Sequence, residues 1–389
     1  MKISKAEKLL KKAISPHGFV ASIEQKSNYN RVWARDGVIC CLAGLLTEDQ
    51  ELINASKTTL TSLADYQHKH GQIPSNIDYS SKSPKISYGG LAGRVDTLAW
   101  FIIGCCQFTY ITDDITFFKN MKPSIEKCIN LMEIWEFNNK HLMYVPRGGN
   151  WADEYITQAY TLYDQCLRLW ALKLYNYQHD SPYLKQKIKY ISNTIKINYK
   201  KKNIHHKNAY HPIAYDKLNY KNYLAASFEP AGYQDSFDAF GNALAILTNV
   251  EDQEDTDNTF NYCERLRKEM PCQLLPAFWP EIKPQDKQWH LLQDHYSYTF
   301  RNEPYHFHNA GIWPVVNAFY ALSISETNPE VAGDVLEKIK EVNALEGHSF
   351  REYIHGRTGH PQGLRYCSWS AAGELILEKQ LMDKKNLTL

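Results

Sequence analysis

No stretch of this 389-residue chain approaches the ~18 consecutive apolar residues of a membrane-spanning helix. The amino-terminal MKISKAEKLLKKAIS is charged and amphipathic, without the apolar centre of a secretory signal. Both lacks lead to the expectation of a cytoplasmic protein with no membrane partner. Net charge is almost absent, +1, so nothing in the balance suits a nucleic acid or another polyanion. The short basic run 200–202 and the short acidic run 251–257 read as solvated loops. Nine cysteines show neither the spacing of a disulfide framework nor that of a metal ribbon. The adjacent pairs Cys40–Cys41 and Cys105–Cys106 fall inside apolar runs and read as buried reduced thiols. The histidines, among them His205–His206 and the alternating His306 and His308, include no HExxH or comparable ligand spacing. No metal and no cofactor are expected.

What is present is a repeated layout. Six times a tight polar and aromatic cluster is followed at once by a helix-length apolar run. The clusters are SNYNRVWARDG (27–37), GGLAGRVD (89–96), GGNWADE (148–154), DSFDAFGN (235–242), YHFHNAGIWP (305–314) and REYIHGRTGHPQG (351–363). Between Asp36, Asp96, Asp153, Asp238, Asn309 and Trp369 the steps run from 57 to 85 residues, which a helix, a turn and a returning helix fill.

The apolar runs 38–46, 97–110, 160–175, 239–250, 315–325 and 368–381 are apolar around much of their circumference, as helices buried on several sides are. The segments 3–14, 52–68, 117–135, 181–196 and 329–343 alternate apolar and charged positions at helical spacing and read as helices with one buried face. The expected fold is all-α, an (α/α)6 toroid or six-hairpin barrel forming a single domain over residues 1–389. An open helical-repeat array would carry a repeating consensus, and none is visible.

In such a toroid the loops entering the inner helices share one rim. There the clusters gather Trp33, Asp36, Tyr88, Asp96, Trp151, Asp153, His308, Asn309, Trp313, Glu352 and Trp369. Pyranose rings offer apolar C–H faces and a girdle of hydroxyls, so flat aromatic faces with carboxylates and amides between them suit a saccharide. Each tryptophan taken alone reads better as a core aromatic; the whole set with so many acids at one end of six helices does not. Cleaving a glycosidic bond further asks for a pair of carboxyls, one to protonate the leaving oxygen and one to activate water.

The pieces VWARDG, VDTLAWF, FDAFGNALAI, HNAGIWP and EYIHGRTGHPQG followed by SWSAAGELIL, in this order from about residue 29 to 377, resemble the (α/α)6 glycoside hydrolases. Within them the chain most resembles the neutral/alkaline invertases (glycoside hydrolase family 100) and the amylo-α-1,6-glucosidase domain of glycogen debranching enzymes. The resemblance implies that Asp96 is the general acid and Glu352 the second catalytic carboxylate. It also implies that Asp36 grips sugar hydroxyls, with Arg35 holding it or touching substrate, and that His308, Asn309 and Trp313 line the same pocket. The other roles open to these residues are an N-cap for Asp96, a surface acid near a turn for Glu352, and a loop stitch for Arg35 with Asp36. The WADE turn resembles the acid-bearing segment of glucoamylases, which makes Asp153 and Glu154 the rival proton donors. HNAGIWP departs from the family's HNGG-x-WP at Ala310, and VDTLAWF departs from VDSGLWW.

The reading is an inverting, exo-acting glycosidase for a small saccharide such as sucrose, with an α-glucan branch stub, maltooligosaccharide or trehalose as the alternative substrate. From other classes, a sugar epimerase or lyase could use His306, His308, His348 and His355 as proton shuttles. A lectin-like binder would have lost one of the acids, and both are present.

Overall fold

The computed structural model describes residues 3–25, 28–90, 92–202, 208–295, 297–383 and 387. Ser27, Leu91, His205 and His206 lie outside the described residues. The chain runs through α1 (Lys5–Lys12), then the hairpins α2 (Ala34–Leu46) with α3 (Gln50–Asp65), α4 (Asp96–Thr112) with α5 (Ile115–Ile134), and α6 (Leu162–His179) with α7 (Pro182–Asn198). A short α8 (Pro212–Lys217) precedes the hairpin of α9 (Ala239–Leu247) and α10 (Gln253–Glu269). A short α11 (Trp289–His295) precedes that of α12 (Pro314–Ile324) and α13 (Pro329–His348), and α14 (Ser368–Met382) comes last.

The inner ring is α2, α4, α6, α9, α12 and α14, each packed on the next, with α14 returning to α2. Their sequences leave them no solvent face: α2 is buried at every position except Arg35, and α4 from Asp96 through Thr109. Such helices cannot sit on a surface, because each large apolar side chain gains about 1.5–3 kcal/mol on full burial. The outer helices bury one stripe. In α7 it is Leu184, Lys187, Ile191, Ile195 and Asn198, spaced three or four residues apart as one helical face requires. The sixth hairpin joins the two ends of the chain, since α1 packs against α14. This is the expected (α/α)6 toroid.

Small antiparallel strands lie at the rim. The strands β1 (Ile14–Ser15) and β2 (Gly18–Phe19) pair with each other, and β3 (Val32–Trp33), β4 (Asn76–Asp78) and β5 (Lys85–Ser87) form a second sheet. A third joins β6 (Tyr160–Thr161), β7 (Ala225–Glu229), β8 (Gly232–Asp238) and β9 (Phe278–Trp279), and β10 (Tyr353–Ile354) pairs with β11 (Pro361–Gln362). Because β3, β6 and β8 run directly into α2, α6 and α9, strand register fixes the side chains at those helix starts.

One expectation fails. The runs 200–202 and 251–257 are not solvated loops: Asp252 caps α10 by accepting from the Asp255 N–H, and the acidic run forms that helix's first turns. Lys200 is buried, with its ammonium 2.9 Å from Asp255 and 3.6 Å from Glu251, and Lys202 also pairs with Asp255. The two runs attract each other across about 50 residues, a pairing that a local charge count does not reveal. Eight of the nine cysteines are buried, with Cys272 partly so. Burial pushes the Cys41 thiol up to about 12, which keeps it unreactive.

Candidate active site

Four inner helices each bring a buried aspartate to the same end of the ring, at or just before the first turn: Asp36 on α2, Asp96 on α4, Asp164 on α6 and Asp238 at the start of α9. Free N–H groups at a helix start favour negative charge there, and Asp238 uses this directly by accepting from the Gly241 N–H at 3.0 Å. Asp96 makes no such side-chain cap bond. Its Oδ2 instead accepts from Arg35 Nη1 at 3.1 Å and from the Tyr163 hydroxyl at 3.3 Å, while its Oδ1 is buried with no partner in the protein.

Arg35 is the hub of this corner. Its Nη2 lies 3.6 Å from Asp36, and its guanidinium lies 5.2 Å from the centre of the Trp369 ring. Burial works against its charge, but Asp96 and Asp36 more than restore it. Burial pushes the Asp36 carboxyl up from its ordinary range and Arg35 counters only part of this. Apart from that ion pair, Asp36 Oδ2 has no hydrogen-bond partner in the protein, and Arg35 Nε is also buried without one.

Glu352, 3% exposed, precedes β10. The backbone beside it is tied to the first turn of α14 by a bond from Ser370 Oγ to the Arg351 carbonyl. Its Oε1 accepts from the Tyr29 hydroxyl at 2.6 Å and its Oε2 from the Leu364 N–H at 3.2 Å. Burial raises its proton affinity; Tyr29, Arg301 and the Leu364 N–H oppose this, and Asp36 adds to it. Asp36 feels Asp96 and Asp153 as well, so the candidate acid and the candidate base share one electrostatic neighbourhood. Helices α4 and α14 flank α2.

Trp151, Trp313 and Trp369 are contiguous. Trp313 meets Trp151 and Trp369 edge to face at 5.6 Å each, and stacks on His308 at 5.1 Å with 2° between the planes. Trp33 stands nearer the mouth beside Tyr29, with its indole N–H on the Asn28 carbonyl. His308 is held neutral by burial and then by Arg301, Arg35 and Arg94, and neither of its ring nitrogens has a protein partner. The indole N–H groups of Trp151 and Trp369 are likewise buried and unpartnered.

The WADE turn is clamped from two sides. Arg94 donates to Asp153 at 2.6 Å and to the Gly148 carbonyl at 2.5 Å. Arg301 grips Glu154 through two nitrogens and lies 3.9 Å from the centre of the Phe307 ring. The Asp153 side chain is 32% exposed where that of Asp96 is wholly buried, so Asp153 lies nearer the surface than Asp96. Two expected residues are occupied elsewhere. Asn309 spends its amide on both backbone groups of Ile282 and on the Asn302 carbonyl, bracing the loop that presents His308. Tyr88 donates to the Tyr66 carbonyl and lies against His68. Sequence reasoning did not single out Tyr29, Arg94, Arg301, Tyr163 or Tyr353, although Tyr29, Arg94 and Tyr353 sit inside the clusters. An open cleft of about 940 Å³ lies at the other end of the ring, between the ends of α2 and α4 and the starts of α3 and α5.

Residues 196–385, just under half of the chain, match the family of alkaline and neutral invertases. No curated protein matches the sequence. Among solved structures, a family 63 mannosylglycerate hydrolase from Thermus thermophilus superposes with a TM-score of 0.70 at 13% identity, over 96% of this chain and 98% of that one. A bacterial glucoamylase complexed with acarbose gives 0.63 at 14% identity, over 95% of this chain and 53% of that one. A rhamnosidase from Klebsiella oxytoca with rhamnose bound gives 0.57 at 10% identity, over 95% and 63%. The structures share the fold. The family match over residues 196–385, in a chain of this fold, supports a glycosidase.

Proposed function

We propose that this glycosidase removes one terminal sugar from a small saccharide by single-step inversion, with Asp96 as proton donor and Glu352 as the base that activates water. The observation carrying this reading is a group of buried polar atoms around Arg35 and Trp313 that no protein group hydrogen-bonds: Asp96 Oδ1, Arg35 Nε, both His308 nitrogens and the indole N–H groups of Trp151 and Trp369. Each such atom left unsatisfied costs about 1–3 kcal/mol, and a ring of hydroxyls satisfies acceptors and donors together. The connected tryptophans supply the apolar face.

In the step, the proton on Asp96 passes to the glycosidic oxygen as the C1–O bond breaks, and the bonding pair leaves with the departing sugar. Water adds to C1 from the opposite face and gives its proton to Glu352. Inversion needs room for that water, carboxyls about 6.5–9.5 Å apart. The enclosed site, with Asp36, Asp96, His308 and Glu352 all nearly inaccessible, suits a chain end better than the middle of a polymer.

Sucrose is the first substrate, on the strength of the invertase match; maltooligosaccharide and trehalose follow. One observation favours a second reading, a saccharide whose leaving group bears a carboxylate. Arg94 and Arg301, each paired with an acid of the WADE turn, are cations beside the site that a substrate carboxylate could share, and the Thermus protein that shares the fold is a mannosylglycerate hydrolase.

Reducing-sugar release from sucrose, maltose, trehalose and mannosylglycerate, with the product anomer read by NMR, tests substrate and stereochemistry together. Asp96→Asn should lose roughly 10²–10⁴-fold in activity and recover partly on α-glucosyl fluoride, whose leaving group needs little protonation. Glu352→Gln should not recover. Full activity of Asp96→Asn with Asp153→Asn inactive moves the acid to the WADE turn.

A further inference from the structure

We propose that Tyr163 is a positioning residue that fixes which oxygen of Asp96 hands over the proton. The inference rests on the reading of Asp96 as general acid and goes beyond it to the atom. Tyr163 stands in the first turn of α6, fully buried, between α4 and the Trp151 ring. Its hydroxyl accepts from the indole N–H of Trp100 at 2.8 Å. An indole N–H can only donate, so the phenolic proton is left for another acceptor. The acceptor within reach is Asp96 Oδ2, at 3.3 Å.

Arg35 donates to that same oxygen at 3.1 Å. With two donors on Oδ2, a proton carried by the Asp96 carboxyl sits on Oδ1, the oxygen that is buried and has no protein partner. Turning the carboxyl over would set its own O–H against two donors and forfeit both bonds, so the arrangement holds one orientation. The charged groups around Asp96 are Arg35 and Asp36 from α2, Asp164 from α6 and Asp153 from the turn before α6. Arg35 holds Asp36 as well, whereas Tyr163 serves Asp96 alone, which makes its hydroxyl the group that can be removed without disturbing Asp36. The phenol is strongly held in its protonated form by burial, so it remains a donor across the working pH range.

The test is Tyr163→Phe in the full chain, assayed on the saccharide found to be the substrate and on α-glucosyl fluoride. The bond to Oδ2 is what leaves the proton on Oδ1, so its loss should lower kcat about tenfold with little change in KM. The fluoride, which needs little acid assistance, should be hydrolysed at close to the unmutated rate. Trp100→Phe keeps the phenol and removes the donor that orients it, so it should lower kcat on the saccharide by less and again spare the fluoride. This second variant decides the matter if Tyr163→Phe does not fold. Equal losses on both substrates would reduce Tyr163 to a packing role and overturn the inference. Full activity of Asp96→Asn on the natural saccharide would instead overturn the acid assignment beneath it.

Discussion

The Tyr29 hydroxyl donates to Glu352 Oε1 at 2.6 Å, linking the loop that leads into α2 with the segment that leads into α14, more than 320 residues later in the chain. A base must be ionised to take a proton from water, and burial already raises the proton affinity of Glu352. Tyr29 favours the ionised form. Tyr29→Phe should therefore move the acid limb of the kcat/KM profile to higher pH by about half a unit or more, leaving the alkaline limb in place. An acid limb unmoved from the parent's would mean that Glu352 is not the group that titrates there.

Gly363 offers a steric test of the same carboxylate. Its φ is +68°, and a Cβ there would stand 2.5 Å from Glu352 Oε2. Gly363→Ala should displace the carboxylate and lower kcat by about 10²-fold, as a displacement of about 1 Å can. Gly347 is the control: its φ is +72°, yet a Cβ there meets nothing within 4 Å. Gly347→Ala should cost comparable stability, about 1 kcal/mol, with activity intact. If both alanine variants hydrolyse substrate equally well, Glu352 tolerates displacement and is not the base.

The ring of helices was legible in the sequence because inner and outer helices differ in hydrophobic pattern, and an all-round apolar run such as α4 has one stable location. The clusters were legible because polar and aromatic side chains interrupt those runs at helix starts. What stayed hidden depends on pairing across the chain. Nothing near Lys200 announces Asp255, and nothing near Asp153 and Glu154 announces Arg94 on one side and Arg301 on the other. Asn309 shows the converse: an amide beside a histidine reads as a sugar ligand, yet each of its polar groups serves the backbone. Tyr163 lay inside an apolar helix, where a tyrosine reads as packing until its hydroxyl is seen between Trp100 and Asp96.

Asp164 predicts a dependence of stability on pH. Burial, then the nearness of Asp96, pushes its carboxyl up to about 8, against the bonds it accepts from Thr161 and Asn150. A carboxyl whose proton affinity is raised on folding contributes stability below its unfolded value of about 4 and loses it as pH rises toward the folded one. Asp238, pushed up to about 7, acts in the same direction. Asp164→Asn keeps an uncharged side chain of the same shape, so thermal unfolding should show a smaller fall in Tm between pH 5 and pH 8 than in the unmutated protein. An unchanged slope would place the titration elsewhere.

Arg35 is where the structure should be least forgiving of a conservative change. Its two terminal nitrogens reach Asp96 and Asp36 while its plane covers Trp369, and a lysine ammonium cannot do all three. Arg35→Lys should keep the charge, fold, and lose about 10²-fold in kcat because neither carboxylate is held at its angle. Arg35→Met removes the counter-charge altogether and should cost about 3–5 kcal/mol at neutral pH, the range for breaking a buried pair from one side. The sign of its pH dependence follows from Asp36, whose carboxyl is raised even with the arginine present. Without the arginine, the folded state would hold that carboxyl protonated to still higher pH, so the deficit against the unmutated protein should be smallest near pH 4–5 and grow toward pH 8. Denaturant melts of Arg35→Met and the unmutated protein across that range measure it; a deficit that grew as the pH fell would mean that Arg35 packs beside these carboxylates without neutralising them.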